Sequence, residues 1–353
     1  MQPWRWPGGT LTAREVVIVR AVGPDSEGWG ECSVFPTPAY NEEWLDGAWA
    51  VLQHHLLPLV VGGPLAAGAV ELRLAAVQGH RMAKAAVELA VLDAELRAAG
   101  RSLAQHLGAT RTRVPAGVAV GLAGSVSDLV EEVGRWVADG YRRVKLKVCP
   151  GWDVEPVLAV RAAFPDLALL ADANGSYQRA DAPRLAALDE AGLLCLEQPL
   201  PGDDLVGHAE WAGKMATPVC LDESITSARA AAAAVALGAC RVVNIKAGRV
   251  GGYLEAVRVH DECAVRGVPV WCGGLLETGV GRTANLALAA LRNFSIPGDL
   301  SASTRFYRED ITAPVVVDGD GTIAVPDSPG TGAQVSLDVL EGATVDRRWV
   351  AAG

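Results

Sequence analysis

Nowhere among the 353 residues does an apolar run reach the roughly 18 residues that a bilayer-crossing helix needs. The opening stretch, Met1 to Gly9, lacks the basic-then-apolar layout of a signal peptide. No C-x-x-C pair occurs among the seven cysteines at 32, 149, 195, 220, 240, 263 and 272, which removes the usual zinc and thiol-redox spacings. An odd, unpatterned set reads as reduced thiols in a cytoplasmic protein. Basic charge is also short: 31 Lys and Arg stand against 41 Asp and Glu, a net charge of −10. That balance argues against nonspecific binding to nucleic acid or to an anionic membrane. It leaves open a locally cationic pocket for a small carboxylate substrate, and it leaves self-association into a homo-oligomer open. The stretch Gly274-Leu-Leu-Glu-Thr-Gly279-Val-Gly lacks the lysine of a phosphate loop, because Val280 stands in its place.

What the chain does have is a core and a rhythm. Half of it is hydrophobic and a fifth charged, enough for one large domain or a barrel with a smaller companion. Arg14 to Arg20 is strand-like, a Gly-Pro-Asp-Ser-Glu-Gly turn follows, and Trp29 to Val34 leads back, which predicts a hairpin. From about Asn41 to Gly108 the pattern is helical, with Met82, Ala86, Leu89, Ala90 and Asp93 on one face of a helix ended by Gly100. After Pro115 short apolar strands alternate with amphipathic helices. The strands are expected at Gly117–Val120, Val144–Val148, Leu167–Ala171, Leu193–Leu196, Val219–Leu221, Arg241–Ile245 and Val268–Trp271, with an eighth near Asn293–Ile296. Repeated βα units predict a parallel sheet closed into a barrel, with an open doubly wound sheet as the competitor. The fold expected is α/β: a (β/α)8-type barrel over 114–309. An α+β capping domain is built from residues 1–113, and the tail, 310–353, returns to it.

Four polar residues sit where the apolar strands end: Asp172, Glu197, Asp222 and Lys246, about 25 residues apart. One βα unit separates each from the next, so all four converge on one barrel mouth. Three crowded carboxylates need a compensating cation. With only oxygen donors and no His or Cys among them, they suit Mg²⁺, with Mn²⁺ also plausible, better than zinc. The preceding strand carries Lys145-Leu-Lys147, and period-two alternation turns both lysines into the barrel. A neighbouring cation and burial both lower a lysine pKa, which makes either one a candidate base. Lys246, four strands further round, addresses the opposite side. The set specifies removal of a proton beside a carboxylate, with the resulting charge stabilised electrostatically.

Other polar residues carry less. His54 and His55 are adjacent and cannot share a helix face as a metal pair. His80, His106, His208 and His260 are isolated, the ten tryptophans need only core or interface roles, and Cys272 is expected to be a packed thiol. The Gly273-Gly274 backbone is expected to approach a ligand closely.

At these residues the chain resembles the enolase superfamily, whose known members combine a lysine or histidine base with Mg²⁺ that stabilises an enediolate. It is most similar to the o-succinylbenzoate synthase and N-succinylamino acid racemase group. The resemblance runs from about Glu15 to Gly332. It rests on blocks such as Gly79-His-Arg-Met-Ala-Lys, Tyr141-Arg-Arg-Val-Lys-Leu-Lys147, Glu197-Gln-Pro-Leu, Cys220-Leu-Asp-Glu-Ser-Ile, Asn244-Ile-Lys-Ala-Gly-Arg-Val-Gly-Gly and Trp271-Cys-Gly-Gly-Leu-Leu-Glu-Thr-Gly. It implies Mg²⁺ on Asp172, Glu197 and Asp222, Lys147 as the α-proton base, Lys246 as its partner, and Lys145 and Asn174 in support. It implies a lyase: syn dehydration of a succinyl-hydroxycyclohexadiene carboxylate to 2-succinylbenzoate, a step of menaquinone synthesis. Some members instead racemise N-acylamino acids, and Arg249 is shared with those. Four departures bear on substrate preference. Ala119 stands for a common serine, Thr283-Ala284 for Ala-His, and Lys246-Ala-Gly for Lys-Pro-Gly. The opening before Arg14 is short, which predicts a missing or altered first capping strand.

Overall fold

The computed structural model describes residues 4–351. The short opening does form strands. β1 (Trp4–Trp6) and β2 (Gly9–Leu11) pair antiparallel across a tight turn, which corrects the expectation of a missing first strand. Trp4 and Trp6 are buried while Arg5 between them is exposed, the alternation of a half-buried strand. β3 (Val17–Val22) and β4 (Glu27–Cys32) then make the predicted hairpin.

The long helix Arg81–Ala98 lies across β4. Gly28 and Gly30 permit this approach: a Cβ on either would fall about 2 Å from the carbonyl oxygen of Ala90 or Ala86. The sequence pattern gave this helix one apolar face, whereas the structure buries it nearly all round, Ala83, Val87, Glu88 and Leu92 included. The cap sheet covers one side and the barrel the other, so the amphipathic pattern was diluted by small residues on the second face. Gly100, at φ 63°, ends it as expected.

After β5 (Arg113–Pro115), seven parallel strands follow in simple order: β6 (Gly117–Val120), β7 (Arg143–Lys147), β8 (Ala168–Asp172), β9 (Leu196–Glu197), β10 (Val219–Leu221), β11 (Val242–Ile245) and β12 (Val270–Cys272). The eighth expected strand is reduced to one parallel bridge, Val270 with Phe294. Pro297 follows and cannot donate to a ladder. The segment still closes the ring. Asp299 N–H donates to the Cys272 carbonyl on one side, and the Gly298 carbonyl lies against Gly117 on the other. Lys145 on β7 and Trp271 on β12 meet across the interior, with the ammonium 4.8 Å from the ring centroid. An open sheet would hold those strands far apart.

The tail pairs β13 (Thr322–Ala324) with β5 and then runs back along the Arg81–Ala98 helix. Asp93, fully buried, is the joint. Its carboxylate accepts from Trp29 N–H of β4, from Thr331 N–H of the tail and from Arg97 Nε. Glu88, one turn earlier, accepts from the Tyr253 and Leu254 N–H groups that open the barrel helix Tyr253–Val265. No helix among the described residues is long and apolar enough to cross a membrane, and all seven cysteines are free thiols.

Asp93→Ala strands three donors at once and is expected to cost about 3 kcal/mol in a denaturant titration. Burial pushes the Glu88 carboxyl up to about 7, against its two backbone hydrogen bonds. Folded Glu88 holds its proton more tightly than the unfolded chain does. Its contribution to stability is therefore full below the ordinary value of 4.5 and lost as pH rises through about 7. Glu88→Gln should flatten the fall in melting temperature between roughly pH 5 and 8. An unchanged slope would locate that proton elsewhere.

Candidate active site

Successive strands deliver the charged residues in register. Lys147 pairs with Asp172 across β7 and β8, and Asp172 with Glu197 across β8 and β9. Asp222 and Lys246 follow the ends of β10 and β11 directly. Both lysines of β7 point inward as predicted, Lys145 and Lys147 being 3% and 8% exposed.

Lys145 is the hub. Its ammonium lies 2.9 Å from Asp172 Oδ2, 2.8 Å from Glu197 Oε2 and 2.6 Å from Asp299 Oδ2. Burial alone would lower its pKa, but Asp172, Asp299 and Glu197 together hold it well above the usual lysine value. The expectation of a lowered pKa is thus corrected for Lys145. Lys147 donates to Asp172 Oδ2 at 2.6 Å and to Asn174 Oδ1 at 2.5 Å.

On the far side Lys246 donates to Asp222 Oδ2 at 2.6 Å and to the Tyr40 hydroxyl at 2.9 Å. Burial opposes its charge, yet Asp222 and its neighbours hold its pKa above the ordinary lysine value. Arg249 pairs with the other oxygen of Asp222 from beneath, and donates to the Asn244 and Ile225 carbonyls. It is 2% exposed and does not line the cleft, so its position is that of a support for Asp222. Asn244 Nδ2 donates to Glu197 Oε1 at 2.7 Å. Gly274 lines the cleft. Gly273 makes room chiefly for protein atoms, since a Cβ there would meet Asn244 Oδ1 at 2.4 Å and Lys246 Cε at 2.6 Å.

Sequence reasoning did not reach the roof. Trp6, Phe35 and Tyr40 form a row with ring centroids 5.6 and 5.9 Å apart. Trp6 stands 6.0 Å from Lys147 Nζ and Tyr40 4.5 Å from Lys246 Nζ, so each lysine faces an aromatic ring of the cap. Phe35 and Tyr40 lie in irregular cap segments and Trp6 in the short strand β1, and none of the three belongs to a motif. Asp299, also missed, follows the Pro297-Gly298 crossing that replaces the eighth strand. Among the described residues, three of the four non-glycine residues with positive φ, Asn174, Gln198 and Leu276, lie in or beside this site, as strained backbone at a functional site does. Gln198 Oε1 accepts from the N–H of Asp222 and of Ser224, locking the start of that loop.

Asp172, Glu197 and Asp222 offer oxygen donors only. Among the described residues no three such side chains are drawn together as a ready metal cluster, and Lys145, Lys246 and Arg249 sit against their oxygens. Burial, then Asp172 and Asp222, push the Glu197 carboxyl up to about 8 in spite of Lys145. Oxygen-only carboxylate donors at adjacent strand ends fit a hard divalent cation such as Mg²⁺.

Residues 128–339 match the enolase C-terminal domain-like family, and residues 1–108 the mandelate racemase / muconate lactonizing enzyme N-terminal domain. An N-succinylamino acid racemase from Amycolatopsis sp is 54% identical over 99% of this chain and 95% of its own length. An o-succinylbenzoate synthase from Geobacillus kaustophilus is 48% identical over 96% of this chain and 91% of its own. The crystal structure of an enolase-superfamily member from Listeria innocua superposes with a TM-score of 0.93 at 40% identity, covering 97% of this chain and 93% of that one.

Lys145→Met leaves three buried carboxylates facing one another and should destabilise the protein by about 3–5 kcal/mol in denaturant titrations. Millimolar Mg²⁺ should restore part of that loss by binding the native state alone. Equal loss with and without Mg²⁺ would count against a cation site at these oxygens.

Proposed function

The chain belongs to the enolase superfamily, and on that premise we propose that it is an o-succinylbenzoate synthase. It would dehydrate 2-succinyl-6-hydroxy-2,4-cyclohexadiene-1-carboxylate to 2-succinylbenzoate, a step of menaquinone synthesis. The observation that carries this reading is the placement of Lys147 and Lys246 in one cleft, each held by a different strand-end carboxylate. Mg²⁺, or Mn²⁺ in its place, would be held by Asp172, Glu197 and Asp222 and would supply positive charge to the substrate carboxylate.

Lys147, in its neutral form, takes the proton from the ring carbon bearing the carboxylate. The C–H electrons are first delocalised onto the carboxylate and then return to form the ring's third double bond as the carbon–oxygen bond to the neighbouring hydroxyl breaks. Lys147 returns its proton to the departing oxygen on the same face, so water leaves and the ring becomes aromatic. Lys246 stays cationic opposite, where it stabilises charge delivered to the carboxylate. Lys145 holds the Asp172 and Glu197 carboxylates apart and in place. Asn244 orients Glu197, and Arg249 orients Asp222. The roof of Trp6, Phe35 and Tyr40 keeps water from the proton-bearing carbon.

The lysines on two sides favour a second reading as well, N-succinyl or N-acylamino acid racemisation. One lysine removes the α-proton and the other delivers a proton to the opposite face. The racemase among the relatives supports it.

Loss of the diene absorbance on mixing substrate with the Mg²⁺-loaded protein, abolished by chelator, is the expected result. No turnover by a folded, metal-loaded protein would sink the dehydratase reading. Lys246→Ala should abolish racemisation, by at least about a thousandfold for a lost acid–base partner. Racemisation at an unchanged rate would refute the two-lysine scheme.

A further inference from the structure

Lys147 and Lys246 are aimed by different means, and the difference exposes a residue not yet assigned a part. Lys246 is held by Asp222 and the Tyr40 hydroxyl. Lys147 is held by Asp172 and by the side-chain amide of Asn174. The Asn174 backbone is left-handed, at φ 44°, a conformation asparagine tolerates better than most residues. Its N–H is tied to Asp172 Oδ1 at 3.1 Å. Those two features fix where the amide starts, and they leave open which end of it meets the lysine.

Glu223 settles that. Asn174 Nδ2 donates to Glu223 Oε1 at 2.9 Å. An ammonium only donates and a carboxylate only accepts, while an amide does one at each end. In the order Lys147, Asn174, Glu223 the amide therefore has a single workable orientation, with Oδ1 toward the lysine. The other carboxylate oxygen, Oε2, is buried without a hydrogen-bond partner. Asn174 lines the cleft and Glu223 does not, so Glu223 acts through the amide and does not meet substrate. No hydrogen bond joins it to Lys246 among the described residues, and its charge acts on that ammonium only behind those of Asp222, Tyr40 and Glu197.

We propose that Glu223 is a positioning residue for one lysine of the pair: it orients the Asn174 amide, which aims Lys147, and leaves Lys246 to its own partners. The proposal rests on the two-lysine reading above. It predicts a one-sided defect. In racemisation each lysine serves one enantiomer's α-proton, so disturbing only Lys147 should slow exchange of only one enantiomer. A residue with a merely structural role would slow both alike.

The experiment follows α-proton exchange by NMR in D2O with the Mg²⁺-loaded full chain, using N-succinyl-D- and N-succinyl-L-phenylalanine separately. Lys147→Ala identifies the enantiomer that Lys147 serves. Glu223→Leu, checked for folding by circular dichroism, should slow exchange of that same enantiomer about tenfold, the scale of one lost charge-assisted hydrogen bond. Exchange of the other enantiomer should stay within about twofold. Glu223→Gln keeps an acceptor of the same shape and should recover part of the loss, which keeps the test open should the leucine variant fold poorly. Asn174→Ala and Glu223→Leu combined should be no slower than Asn174→Ala alone, as members of one chain are. Equal slowing of both enantiomers, or none, overturns the relay while the two-lysine reading stands. A wild-type protein that exchanges neither enantiomer overturns that reading, and the relay with it.

Discussion

The ammonium of Lys145 sits at the centre of this molecule's electrostatics. Asp172, Glu197 and Asp299 all reach it within 3 Å, deep in a barrel where an unpaired charge is costly. Three carboxylates at adjacent strand ends are tolerable because positive charges alternate with them. Lys147 stands beside Asp172, and Lys246 with Arg249 beside Asp222. The lattice holds Asp172, Asp222 and Asp299 ionised below the usual carboxylate range, although burial opposes this. Glu197, flanked by two of its own kind, is the exception. Chemistry that develops negative charge on a bound carboxylate suits such a site, because the compensating groups are fixed before the substrate arrives.

The cap has a different part. Its helix Arg81–Ala98 is clamped between β4 and the barrel by glycines on one side and by Glu88 on the other. That rigid seat carries the loops bearing Phe35 and Tyr40, and Trp6 reaches the same roof from the β1–β2 hairpin. Lys147 and Lys246 consequently each have a carboxylate below and an aromatic face above. The polar chemistry belongs to strand ends of the barrel, and the shape of the space above it belongs to the cap. Departures such as Ala119, which lines the cleft, change the walls and leave the charged floor intact.

Closure of the ring depends on very little regular structure. The place of an eighth strand is filled by one bridge at Phe294 and a run through Pro297 and Gly298. This irregular passage delivers Asp299 to Lys145 and Arg143. A proline that ends strand pairing and a glycine that lets two backbones touch thus place a buried carboxylate at the hub.

The sequence by itself determined the barrel strands to within a residue or two for most, the inward face of Lys145 and Lys147, and the strand-end positions of Asp172, Glu197, Asp222 and Lys246. These follow from local rules: alternation along a strand and a constant βα repeat, each written over a few neighbouring residues. Only the tertiary structure decided the rest. Tyr40 meets Lys246 across 206 residues of chain, and Glu223 meets Asn174 across 49. The raised pKa of Lys145 comes from three carboxylates on three different segments. The all-round burial of the Arg81–Ala98 helix appears only when two layers close on it. Contacts of this kind leave no period in the sequence, because they arise where separately encoded elements pack together.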